Sequence, residues 1–383
     1  MIGATVSRNK VLFILKRRPD FDPEKHSAKG LSTGLFNSAS FVENMLQHSG
    51  IDAALEVAID NNCIDRLVRQ HQPTHVIIEA LWVVPTKFAV LIKLHPNVRW
   101  IIRLHSEMPF LASEGISMDW IGDYVTYPEI DIAINAPRML VEIKEYLSTK
   151  MRWSADQCSQ RVFYLPNFYP QQYQRKTFDR NKYWVDVCCF GAIRPLKNHL
   201  LQAFAAIKFA NRIHRQLRFH INLGRIEMKG DPIYNNLTAL FEQLNDHGHQ
   251  LIGHQWTPRE QFLDICQQMD IGLQCNFSET FNIVSADLIS QGVPILGSKE
   301  IPWSTKLFNC DPTNSNDIAS RMQLLYYLPD LNVRLNQRNL TAYTAQTKSI
   351  WIDYFGENHA KKVYGKKLQL GQRSIDKREP SIQ

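Results

Sequence analysis

The sequence has no apolar run near the roughly 18–20 residues that a membrane-spanning helix needs. Its first apolar run, 11–15, is too short for a secretory core and has no cleavage site behind it, so it reads as a first strand rather than a leader. A soluble, cytoplasmic setting is the expectation. No C-x-x-C pair occurs: the seven cysteines stand at 63, 158, 188, 189, 266, 275 and 310. An odd, scattered set, several of them inside apolar runs, speaks against a disulfide framework or a thiolate metal site and for buried free thiols. Internal repeats and low-complexity tracts are missing, as are the G-x-G-x-x-G and Walker patterns of phosphate loops. General basicity is missing too. The net charge is +7, but 361–383 holds Lys361, Lys362, Lys366, Lys367, Arg373, Lys377 and Arg378 against Asp376 and Glu379. The tail thus carries +5 and the body only +2. That excludes a protein basic over its whole surface and leaves a solvated or polyanion-binding tail.

What is present is a regular alternation of apolar runs and helical periods over 383 residues, a length that suits two domains. The runs at 11–16, 51–57, 75–80, 98–104, 130–135 and 162–165 read as strands, followed by 185–190, 217–224, 250–253, 271–275 and 293–296. Between them, helical spacing is expected from about 34 to 48 and over 64–71, 81–93, 199–211, 234–247 and 259–269. Further helices are expected over 317–328, 333–346 and 349–360. Near-continuous apolar strands alternating with helices indicate parallel sheets covered on both faces. The fold class expected is α/β with two Rossmann-like domains. The polar, aromatic, non-periodic stretch 167–182 is the linker between domains at 1–166 and 183–348. The segment 349–365 is a terminal helix that could return to the first domain, and 366–383 is the basic tail.

The most informative stretch is SETFNIVSADLISQGVPILGS, 278–298. A polar turn follows an apolar strand, then comes a helix, then Gly292 at a C-cap position, Pro294 and another strand. Such a helix start presents free N–H groups and a positive dipole end to whatever lies beyond the strand. A second turn has the same character: Gly191 closes a strand, and Arg194 and Lys197 precede a helix. Cations beside the positive end of a helix are unfavourable unless an anion is bound there. His105, at the end of the 98–104 strand, is a third polar group at a strand terminus, where ligands gather in such sheets.

Ser278, Glu279, Phe281, Gly292, Val293 and Pro294 resemble the nucleotide-sugar signature of retaining glycosyltransferases of the GT-B fold, family four and its relatives. Two positions depart from the pattern: Asn282 stands where Gly is usual, and the second acid is Asp287 rather than Glu. The resemblance is specific over 185–298 and looser over 10–165. It implies two domains facing across a cleft, a nucleotide-diphosphate sugar as donor substrate, retention of configuration, and no metal or other cofactor. It implies roles for Gly191, Arg194 and Lys197 at the diphosphate, with backbone N–H groups from Thr280, Phe281, Asn282 and Ile283. Glu279 would meet the sugar, Asp287 the ribose and His105 a sugar hydroxyl, which makes His105, Glu279, Arg194 and Lys197 the expected catalytic set. The loop GLSTGL at 30–35, with Gly30, Ser32, Thr33 and Gly34, would sit at the cleft mouth. This loop and the segment IDNNCIDRLVRQHQPTHVIIEALWVVP also look like uncharacterised glycosyltransferases of tailed bacteriophages. In that setting a hydroxymethylated pyrimidine in DNA is the expected acceptor, held by the tail and by Lys16, Arg17 and Arg18. A cell-surface or lipid-linked glycan is the competing acceptor, and a non-catalytic nucleotide-sugar binder is the competing class. The oligomeric state is left open.

Overall fold

The computed structural model describes residues 9–17 and 34–356. Gly30, Ser32, Thr33, Arg18 and the basic tail lie outside the described residues. Two six-stranded parallel sheets carry the chain. The first contains β1 (Lys10–Lys16), β2 (Asp52–Ala58), β3 (His75–Glu79), β4 (Arg99–Leu104), β5 (Ile130–Ile134) and β6 (Val162–Tyr164), in the order β2-β1-β3-β4-β5-β6. The second contains β7 (Trp184–Cys189), β8 (Gln216–Asn222), β9 (Gln250–His254), β10 (Ile271–Gln274), β11 (Ile295–Ser298) and β12 (Asn309–Cys310). Its order is β12-β11-β10-β7-β8-β9.

The inner strands are largely apolar on both faces because both faces are covered. In β1, Leu12 and Ile14 enter one core while Val11 and Phe13 enter another. In β7, Val185 and Val187 face one core and Cys188 the other. All seven cysteines are free, and only Cys63 is not fully buried. In each sheet the winding reverses once, between β1 and β3 and between β7 and β10. The crevice beyond the strand ends at such a reversal is where an open α/β sheet takes its ligands.

In two places the helices differ from the periodicity reading by more than their end residues. Instead of a helix over 81–93, the chain forms a 3₁₀ turn at Pro85–Lys87 and then a short helix, Phe88–Leu94. Proline forces Val84 into an extended conformation and cannot donate within a helix. Instead of helices at 333–346 and 349–360, one continuous helix runs Pro329–Phe355, since no Gly or Pro interrupts it before Gly356. Helices at Ser117–Tyr124, Pro137–Met151 and Ala155–Arg161 have no counterpart in that reading.

The long helix ties the two halves together. Near its start, Asn332 exchanges hydrogen bonds with Ile295 N–H (3.0 Å) and C=O (2.9 Å), and Asn336 accepts from Thr305 N–H at 2.9 Å. At its far end Trp351, fully buried, packs on Phe13 and donates from Nε1 to Pro166 O at 2.8 Å. Among the described residues no helix is long and apolar enough to cross a membrane.

Candidate active site

A cleft of about 340 Å³ lies between the sheets, walled by the strand ends of both. From the second sheet it receives the turn after β7, with Gly191, Arg194 and Lys197, the turn after β10, with Glu279, Thr280 and Asn282, and Asp287 from the helix Ile283–Ser290 that follows it. From the first it receives His105, Glu107 and Phe110, together with Gly34 at the start of helix Gly34–His48. The cleft is narrow here: a Cβ on Gly34 would stand 3.4 Å from Ile283 Cγ2.

The turn after β7 needs its glycine. Gly191 has φ +119°, closed to side-chain-bearing residues at ordinary cost, and its N–H donates to Asn222 Oδ1 at 2.9 Å. The chain then carries Arg194 and Lys197 into the cleft. Arg194 lies 4.8 Å above the Phe110 ring, across the domain boundary, and 3.7 Å from Glu227. Lys197 pairs with Glu279, whose Oε1 also accepts from Asn276 Nδ2 at 2.7 Å. Behind them His199 is fully buried, and burial followed by the charges of Lys197 and Arg194 pushes its imidazole down to about 3.

After the turn that follows β10 the helix starts at Ile283. Phe281 is buried ahead of it, its carbonyl accepting from Trp303 Nε1 at 2.8 Å. Asn282 is the N-cap, at φ +62°, with Oδ1 accepting from Ser285 N–H at 2.8 Å and Nδ2 donating to Gln274 Oε1 at 2.8 Å. Ile283 and Val284, whose first-turn N–H groups have no intrahelical acceptor, line the cleft. Thr280 bridges the domains: its hydroxyl donates to His105 O (3.3 Å) and accepts from Asn135 Nδ2 (3.2 Å).

Asp287 is buried, and Tyr169 and Arg259 both donate to its Oδ1 at 2.8 Å. Burial raises its carboxyl above the usual range, and the two donors offset this only in part.

His105 belongs to a network absent from the sequence reading. Glu79 and Arg103, both fully buried, form an ion pair at 3.1 Å. Arg103 also donates to Leu165 O at 3.1 Å, Pro166 O at 3.2 Å and Asn167 Oδ1 at 2.6 Å. Burial would lift the Glu79 carboxyl, but Arg103 and His105 together hold it below its ordinary value. His105 Nε2 is bonded to Glu79, and Nδ1 meets Asn135 Nδ2 at 3.4 Å. Because Asn135 donates there, Nδ1 accepts and Nε2 carries the proton, the neutral tautomer that burial and Arg103 also favour. Both ring nitrogens are engaged, so a sugar hydroxyl reaching this ring must displace the long Asn135 bond.

The cleft thus gathers every expected site residue that is described, with Gly34 at its edge and Phe281 just behind it. Sequence reasoning misses Glu79, Arg103, Asn135, Tyr169 and Arg259. A signal exists for two of them: a carboxylate inside HVIIE and a guanidinium inside RWIIRL are charges in buried strands, which require partners.

No family model matches the chain, and no curated protein matches it. Among solved structures it is similar to an OtsA apo structure (TM-score 0.66, 11% identity, 91% of this chain and 99% of that one). It is similar to an alpha,alpha-trehalose-phosphate synthase (UDP-forming) from Burkholderia vietnamiensis (0.64, 9%, 91% and 96%). A third similarity is to a point mutant of S. aureus TarM in complex with fondaparinux, alpha-GlcNAc-glycerol and UDP (0.54, 13%). That match covers 74% of this chain but spans only 55% of the TarM chain. At these identities the likeness concerns the fold. The chain has the GT-B architecture, two Rossmann-like domains facing across a cleft.

Proposed function

We propose that this protein transfers a sugar from a nucleotide-diphosphate donor to an acceptor hydroxyl. One observation carries the reading: Arg194, the Lys197–Glu279 pair and the start of helix Ile283–Ser290 converge on one interdomain cleft, opposite His105. Breaking a sugar–phosphate bond places negative charge on the departing diphosphate, and fixed cations and helix N–H groups stabilise that charge. Arg194 and Thr257 each bring a buried polar atom without a partner (Nε and Oγ1) to this cleft, as a site awaiting a polar ligand would. The UDP named in the TarM complex and the UDP-forming synthases among the similar structures favour a UDP-sugar.

On this reading 1–166 is the acceptor domain and 183–348 the donor domain. Glu279 meets the sugar, Asp287 the ribose and His105 a sugar hydroxyl, with retention of configuration. Acceptor recognition is assigned to DNA carrying a hydroxymethylated pyrimidine. Supporting this are the likeness of the N-terminal block to phage glycosyltransferases, the basic tail, and exposed Lys16 and Arg17 at the carboxyl end of β1. The test is incubation with a panel of nucleotide sugars and with hydroxymethylated DNA, unmodified DNA, or a sugar phosphate. Mass shift of modified DNA alone supports the assignment. Transfer to the sugar phosphate instead would replace the acceptor while keeping the reaction, and donor binding without release of nucleoside diphosphate would leave only a binding protein.

A further inference from the structure

Behind the cleft wall, side chains from three parts of the chain meet around Asp287. Tyr169 comes from the irregular connection between the sheets, Arg259 opens helix Arg259–Gln268, and Phe41 projects from helix Gly34–His48 of the first domain. Tyr169 and Arg259 both donate to Asp287 Oδ1, and Arg259 donates to the Tyr169 hydroxyl at 2.9 Å. Phe41 covers the pair: its ring stands edge-on to Tyr169 with centroids 5.6 Å apart, and the Arg259 guanidinium lies 5.0 Å from its centroid. The connection is fastened to the Asp287 helix a second time, where Gln174 N–H donates to Ser290 O at 2.7 Å. Both bonds to the carboxylate fall on a single oxygen, while Asp287 lines the cleft. Two donors on one oxygen fix a carboxylate's orientation, so its other oxygen points one way.

We propose that Tyr169, Arg259 and Phe41 are positioning residues that aim Asp287 Oδ2 at a ribose hydroxyl of the donor, so that nucleotide affinity depends on the first domain and the connection as well as on the donor domain. This rests on the donor-site reading. It also accounts for an Asp working where the longer Glu is usual: the side chain is short, but it is held rigid by its neighbours.

The test uses the full chain and calorimetric titration with UDP and with its 2′,3′-dideoxy analogue. Wild type should prefer UDP by at least about tenfold, the scale of a hydrogen bond to a charged group. Tyr169→Phe keeps the ring but loses the hydroxyl, and should bring that preference to within about threefold while binding the dideoxy analogue as wild type does. Phe41→Ala leaves every hydrogen bond at Asp287 in place and should also weaken UDP selectively. Full ribose preference in Tyr169→Phe, or in Arg259→Lys should the first variant not fold, overturns the proposal. Wild-type behaviour of Phe41→Ala overturns its interdomain part. Wild type that binds UDP without ribose preference defeats the proposal alone, whereas wild type that binds neither compound defeats the donor-site reading beneath it.

Discussion

At Asn282 the backbone sits in the left-handed region, φ +62°, immediately before the helix that faces the cleft. Glycine is the usual residue there in the pattern this stretch resembles; asparagine visits the same region at modest cost and adds a cap. Asn282→Gly should therefore lose only about a few tenths of a kcal/mol, since glycine is itself a fair cap and free at this φ, and Asn282→Ala about 2–3 kcal/mol, the cap plus the backbone cost. Urea denaturation of the two variants checks this, and equal stability would contradict it. A second residue-scale consequence concerns His199. Its folded imidazole titrates at about 3, whereas in the unfolded chain it titrates near 6.5. Below about 6.5 the unfolded state binds a proton that the folded state refuses, so this residue makes stability fall as pH drops from there toward 3. His199→Phe should show a shallower decline in Tm between pH 7.5 and 5 than wild type; parallel declines would show that burial of His199 does not govern it.

The strand ends are legible at the scale of elements because each run of apolar residues stops where a polar turn begins. Gly191, Arg194, Lys197, His105 and Glu279 all lie in or just after such turns, and Asp287 one helical turn into the helix that follows, within reach of spacing arguments. Partners joined only through space are not legible. Glu79 and Arg103 meet across neighbouring strands, and Tyr169 reaches Asp287 from 118 positions away. The helix Pro329–Phe355 reads as two in sequence because its apolar period drifts while its buried polar residues, Asn332, Asn336, Thr344 and Thr347, look solvent-facing. Its end carries a test. Trp351 is fully buried, and the Arg103 guanidinium lies 5.1 Å from its ring centroid. Trp351→Ala should cost about 3–5 kcal/mol. It should also lower turnover at temperatures where the variant is folded, because Arg103 orients Glu79 and through it His105. A destabilised variant with full turnover would separate the helix from the site.

Over the whole molecule, the site exists only where the two sheets oppose their winding reversals. Arg194 stacks on Phe110, Thr280 bonds His105 and Asn135, and Arg138 pairs with both Glu107 and Glu300, so each wall holds the other. Charge follows a different map, with +5 of the net +7 in 361–383. If DNA is the acceptor, deleting 366–383 should raise KM for DNA. The slope of log K against log salt should fall by about one for each phosphate the shortened chain no longer neutralises, with donor hydrolysis unchanged. An unchanged salt slope would remove the tail from acceptor binding. Whether the cleft breaks a sugar–diphosphate bond is decided by nucleoside diphosphate release from a nucleotide-sugar panel. Wild type should release it from at least one donor, and Arg194→Ala and Lys197→Ala should each slow release by about 10²–10³, the scale of one missing charge stabiliser. No release from any donor, or wild-type release by the double variant, would contradict that chemistry.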